Sequence, residues 1–249
     1  MALVPQLLTS SLALWRGTWI CRSEVVVPEQ PLQLFEMEGC PHCRLVRETL
    51  TELGIDAVIF PCPKGGHRFR NRAFDLGGRC EFPLLVEPVK GEVIYDSQRI
   101  REYLWQQYGG RSVPGLSSRQ PVDKGRVLLA SFARFGKGLY AKPSCTPARL
   151  LELYSFESSP YSREVRERLC ELEIPYVLRN CGKSRVGELL LPVIGDWMGI
   201  GYRPGSRNRQ ELVNITGRGA VPYLVDPNQD TALFESGAIL AHLRDYYQI

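Results

Sequence analysis

The sequence predicts an α/β protein in which one module is used twice, each copy a mixed four-stranded sheet flanked by helices. Two observations carry that reading. Residues 33–62 laid on 152–181 agree at thirteen of thirty positions, among them Leu34/Leu153, Glu38/Glu157, Pro41/Pro160, Arg44/Arg163, Arg47/Arg166, Glu48/Glu167 and Cys62/Cys181. Such density over a whole strand, helix and strand marks an internal duplication. The match then resumes about twenty residues out of step, 82–86 on 221–225 and 95–97 on 234–236, so the second copy carries an insertion near 184–203.

Taken in order, the first module opens on an apolar run, Leu32 to Phe35, of strand character. Cys40-Pro41-His42-Cys43 follows and starts a helix with apolar residues at Leu45, Val46, Leu50 and Leu53. Pro41 suits the first helical position, where a missing N–H has no partner to lose. A second strand ends near Cys62, a helix lies near 70–76, and two strands flank a turn near 88–92 before a closing helix over 97–108. The strand-helix-strand crossover gives parallel pairing and the short turn an antiparallel pair. The second module repeats this order to a closing helix over 236–247. The expected divisions are an N-terminal helical extension (1–30), the first module (31–110), a linker with a helix (111–149) and the second module (150–249). A weaker likeness between 8–13 and 128–133 suggests equivalent helices over 5–20 and 122–140.

Composition narrows the function classes. An apolar content of 44% supports real cores, and a net charge of +4 on 249 residues gives no reason to expect a nucleic-acid partner. Eight cysteines are too sparse for a secreted disulfide framework. The apolar segment from Leu7 to Trp15 has no basic residue before it and does not read as an export signal. No apolar run is long enough to span a bilayer, and membrane contact is not expected. A reducing cytoplasm is the expected compartment.

At the start of its helix Cys40 faces free N–H groups and the positive end of the helix dipole, which favour the nucleophilic thiolate. Cys43, one turn on, lies on the same side and can close a disulfide. His42 between them further favours the thiolate and a more oxidising pair. A zinc site is the chemical competitor, with Cys62, Cys80 and His67 nearby, but no second C-x-x-C pair completes it. No metal is expected. In the second module Ser159-Pro160-Tyr161-Ser162 stands where the first has its cysteines, so dithiol exchange is impossible there. Ser159 reads either as a helix N-cap or as a hydroxyl that hydrogen-bonds a bound sulfur.

The Cys-Pro-x-Cys helix start, Phe82-Pro83 before a strand and Asp96-Ser97 opening the last helix resemble a glutaredoxin, or the thioredoxin-fold N-terminal domain of a glutathione transferase. Val221-Pro222-Tyr223-Leu224 and Glu235-Ser236-Gly237-Ala238-Ile239 are similar to the transferase version. The all-helical second domain of those transferases has no counterpart. The resemblance implies two tandem thioredoxin-like modules with cis prolines at Pro83 and Pro222. It implies that the backbones of Phe82 and Val221 pair with the cysteinyl part of glutathione. It also implies that Asp96-Ser97 and Glu235-Ser236 hold the γ-glutamyl end, with Lys64 near the glycyl carboxylate. The implied activity is glutathione-linked thiol-disulfide exchange on protein disulfides or glutathionylated proteins, with Cys40 attacking and Cys43 resolving. A glutathione transferase working through Ser159 and a non-catalytic module binding glutathione or a protein are the alternatives. The duplication suggests a monomer with two pseudo-dimeric modules, or a homodimer.

Overall fold

The computed structural model describes residues 3–21, 25–114, 125–129, 136–184, 188 and 205–249. Strand β1 (Leu32–Glu36) turns into α2 (Pro41–Leu53), which starts on Pro41 and ends at Gly54. Gly54 takes φ 64° and donates its N–H back to the Leu50 and Thr51 carbonyls, a left-handed stop that glycine adopts without a steric penalty. The chain returns in β2 (Ala57–Pro61), parallel to β1, and continues through α3 (Arg70–Gly77), β3 (Leu84–Glu87), β4 (Glu92–Tyr95) and α4 (Ser97–Tyr108). The second module repeats the order as β5 (Leu151–Ser155), α5 (Pro160–Glu171), β6 (Tyr176–Asn180), α6 (Arg207–Thr216), β7 (Tyr223–Asp226), β8 (Thr231–Phe234) and α7 (Ser236–Tyr247). Most of the expected insertion, 184–203, lies outside the described residues.

The two four-stranded halves form one eight-stranded sheet in the order β4-β3-β1-β2-β6-β5-β7-β8. They meet along antiparallel β2 and β6, where Val58 pairs with Val177, its own equivalent in the duplication, and Ala57 and Ile59 pair with Leu178 and Tyr176. A local twofold axis therefore runs through the Val58–Val177 pair. Because β1 is parallel to β2 and β5 to β6, the strand ends that carry Cys40 and Ser159 lie at opposite ends of the sheet.

Burial of apolar surface drives the layering. One continuous core runs under both modules on one face of the sheet. It holds Leu34, Val46, Leu50 and Trp105 from the first module with Leu153, Val165, Leu169 and Leu243 from the second. The opposite face carries two separate clusters, Phe35, Phe60, Cys62 and Tyr95 in the first module and Tyr154, Leu212 and Tyr223 in the second. Leu50 and Leu169, equivalent and both fully buried, should each cost about 2–5 kcal/mol when cut to alanine. With one core shared, urea melts of either variant are expected to remain single transitions.

The N-terminal helix departs from expectation. Helix α1 (Leu3–Leu12) stops well short of residue 20, because Leu14 and Trp15 take φ of 53° and 52° and the chain turns at Gly17. Left-handed residues cannot continue a right-handed helix. In the expected second helix, 122–140, residues 125–129 are helical and 136–138 form a turn, while 130–135 lie outside the described residues. No helix among the described residues is long and apolar enough to cross a membrane.

Candidate active site

Cys40 occupies the N-cap of α2 in extended conformation (φ −77°, ψ 127°) and is 7% exposed. Its sulfur makes no regular capping hydrogen bond. The thiol of Cys43 nevertheless faces it, with the N–H groups of Cys43 and His42 and the His42 ring close by. Together, and against the effect of burial, they lower the Cys40 thiol to about 6. Cys43 is fully buried, and burial pushes its thiol well above the ordinary cysteine value, with Cys40 and Glu36 adding to the effect. The pair is thus split into an acidic thiol that keeps 7% of its surface and a fully buried, protonated one. That division suits a nucleophile and a resolving thiol.

His42 is exposed and lines a cleft of about 290 Å³ with Phe82, Pro83, Asp96 and Ser97. The peptide bonds before Pro83 and Pro222 are both cis. Asp96, at φ 69°, caps α4 by accepting from the N–H groups of Gln98 (2.9 Å) and Arg99 (3.2 Å). The structure adds Arg79, Glu81, Tyr95 and Arg99 to this cleft. Arg79 stacks over the Tyr95 ring at 4.4 Å and lies 3.5 Å from Glu81. Arg99 was missed because a basic residue in the first turn of a helix reads as a solvated one. Lys64 lies elsewhere: its N–H donates to the Leu139 carbonyl (2.7 Å), and its ammonium sits 5.8 Å from the centre of the Tyr140 ring.

The second module's equivalents sit in a different setting. Ser159 is 2% exposed, and its Oγ accepts from the Ser162 N–H (3.3 Å), an N-cap. Glu235 (φ 68°) makes no cap hydrogen bond to α7 and is exposed, while Ser236 and Val221 are half-buried. The arm preceding each module covers the other. The Gly138 carbonyl accepts from Gly39, and Lys64 pairs with 139–141. In the same way Gly17 accepts from Ser158, and Lys183 pairs with Thr18 and Ile20. Gly39 and Lys64 are the repeat equivalents of Ser158 and Lys183, so the weak upstream likeness has a spatial counterpart in these exchanged arms.

Beneath Cys40, at the twofold axis, lies a buried ionic network. Arg47 donates to Glu157 of the second module (2.9 Å), to Glu36 and to the Glu38 carbonyl (3.1 Å). Arg166 answers from the second module, donating to the Glu38 carboxylate (3.2 and 3.3 Å) and lying 3.1 Å from Glu157. Arg44 joins Glu48 (3.0 Å), which Arg126 grips through two bonds of 2.8 and 2.7 Å. The guanidinium ions hold Glu157 well below the usual carboxylate range against the effect of burial. Glu36 goes the other way: burial raises it to about 8, with Glu38, Glu157 and Cys40 adding to that and Arg47 opposing. The sequence had offered a signal for this network, identical Arg and Glu pairs in both copies, but there it served only to establish the duplication.

No cluster of three or more His, Cys, Asp or Glu residues placed to hold a metal occurs among the described residues. A family model described as glutathione S-transferase, N-terminal domain, matches residues 34–112 and again 153–248. No curated protein and no solved structure matches the chain.

Proposed function

The chain belongs to the glutathione S-transferase N-terminal domain family, in two tandem copies, and from that premise we propose that it is a glutathione-linked thiol-disulfide oxidoreductase acting through its first module. The observation that carries the reading is the split between the two thiols, Cys40 lowered to about 6 and Cys43 raised. Cys40 thiolate attacks a protein disulfide or a glutathionylated thiol. Cys43 then attacks Cys40, which releases the bound partner and closes the Cys40–Cys43 disulfide, and two glutathione molecules restore the dithiol. The cleft beside His42 supports glutathione as the partner. Arg79 and Arg99 complement its two carboxylates, and Asp96 its ammonium group, with Phe82 and Pro83 against the cysteinyl segment. This cycle needs a reducing compartment, the cytoplasm in our reading. The capping bond to Ser159 favours a structural role there, and the transferase alternative takes second place.

Intact mass after exposure to oxidised glutathione tests the proposal. The wild type is expected to form an internal disulfide, Cys43→Ser to hold one glutathione, and Cys40→Ser to hold none at the motif. An unmodified Cys40 in both forms that retain it would sink the reading.

A further inference from the structure

We propose that the α3 face of the first module is a docking surface for the protein half of a glutathionylated substrate, and that the segment it takes is acidic. This inference rests on the oxidoreductase reading above and names a substrate class for the same site.

Three arginines on this face lie over aromatic rings. Arg79 sits 4.4 Å from the centre of the Tyr95 ring, Arg70 5.0 Å from that of Phe82 and Arg72 4.4 Å from that of Phe60. The three rings belong to one cluster, on the side of the sheet opposite the shared core. Arg70 is held further by the Pro63 carbonyl (3.0 Å), and Arg72 by Gln33 Oε1 (3.0 Å). A guanidinium laid on a ring still presents N–H donors at its edge, and it loses little freedom when a carboxylate arrives. The row is pre-organised for acidic side chains.

The duplication supplies an internal control. Helices α3 and α6 align on their C-cap glycines, Gly78 and Gly217. Arg72 and Phe60 then become Glu211 and Arg179, the latter tied to Glu152 (2.9 Å) and Asp56 (3.3 Å). Arg70 and Phe82 become Arg209 and Val221, and Arg209 turns inward to the carbonyls of Cys181 (2.7 Å) and Gly219 (3.0 Å). Arg79 and Tyr95 alone keep a cation and a ring, as Arg218 and Phe234. The full row stands in the module that has cysteines.

Placement ties the row to the reaction. Arg79 and Phe82 line the cleft read as the glutathione site, whereas Arg70, lying on Phe82, and Arg72, two residues further along α3, lie outside that lining. In a glutathionylated protein one S–S bond joins the two halves, so with glutathione in the cleft the protein chain must leave across an adjoining surface. The Cys40 thiolate forms a bond to the glutathione sulfur while the bond from that sulfur to the protein sulfur breaks, and the protein leaves as a thiolate with the bonding pair. Acids punctuate the same face: Asp75 is exposed on α3, and Glu81 lies 3.5 Å from Arg79. Such interspersed charge, on a chain of net charge +4, complements an acidic protein segment better than the uniform charge of a nucleic acid.

The test measures kcat/KM of the whole chain, with glutathione as reductant, on three peptides that carry one glutathionylated cysteine among aspartates, serines or lysines. The aspartate peptide should be favoured over the lysine peptide by about tenfold at low salt, and the preference should shrink toward unity at about 0.5 M salt. Arg72 is exposed, and Arg72→Glu gives the first module the residue type found at position 211. It should abolish the preference by raising KM for the aspartate peptide with kcat kept, and leave reduction of a small glutathione mixed disulfide unchanged. Should that variant not fold, Arg72→Gln is expected to act the same way, by less. Equal kcat/KM on all three peptides overturns the inference, as does a preference that survives in whichever variant folds. Salt-sensitive binding of a short oligonucleotide tighter than that of the aspartate peptide overturns it too, since the surface would then read phosphates. If neither the peptides nor the small disulfide is reduced, the oxidoreductase reading itself has failed and the inference falls with it.

Discussion

Cys40→Ser is expected to slow reduction of a small glutathione mixed disulfide by roughly a thousandfold or more, while Ser159→Ala leaves the rate unchanged. The size follows from chemistry, since a serine hydroxyl is not ionised near neutral pH and forms no disulfide. The contrast follows from the two settings: the Cys40 thiol is lowered by the facing Cys43 thiol, whereas Ser159 is 2% exposed and spends its oxygen on the Ser162 N–H. The pH profile adds a second check. With the thiol lowered to about 6, its reactive fraction climbs through pH 6 and is nearly complete at neutrality. An ordinary cysteine would still be climbing at about 8.5. In a Cys43→Ala background Cys40 should titrate at higher pH, because the Cys43 side chain is the largest contributor to the lowering and alanine offers no hydrogen bond in its place.

Arg47→Met is expected to destabilise the whole chain by about 3–5 kcal/mol, the cost of leaving buried carboxylates without their cation. Glu36, Glu38 and Glu157 all lose a partner at once, and two of the three contacts span the duplication's seam or the loop before Cys40. The sign with pH is fixed by the shifts. Glu157 is held low, so its stabilisation is present above the ordinary carboxylate range and lost as pH falls through that range and below. Glu36 is raised to about 8, so it opposes folding progressively between the unfolded carboxylate value and that pH. The Arg47→Met penalty should therefore be larger at pH 9 than at pH 5. Urea midpoints at the two values would show it, and an equal loss at both would argue against an electrostatic origin.

Much of the scaffold could be read from the chain because local rules and the duplication agreed. Pro41, the apolar spacing Val46, Leu50 and Leu53, and the short turn before β4 each fixed an element, and the second copy repeated them. Five residues of the cleft lining, His42, Phe82, Pro83, Asp96 and Ser97, were legible in the sequence. Arg79 and Arg99 were not, since nothing local separates a cleft-lining arginine from a surface one. The joining of the two sheets was equally hidden. Ala57, Val58 and Ile59 are as apolar as any buried strand, and a one-dimensional pattern does not say which strand lies beyond the next hydrogen bond. The end of α1 failed for a related reason: the left-handed turn at Leu14 and Trp15 carries no glycine to announce it.

The twofold axis through Val58 and Val177 has a consequence for what the protein's ancestry permitted. Two identical chains meeting at such an axis must contribute every buried charge in pairs, so any acid added beneath one reactive thiol is added beneath both. The axis would then have to accommodate two such acids in place of one. Joining the halves in a single chain lifts that parity rule. Glu36 can stand on one side and Ser155 on the other, giving an odd count of carboxylates that no symmetric pair of this module can reach.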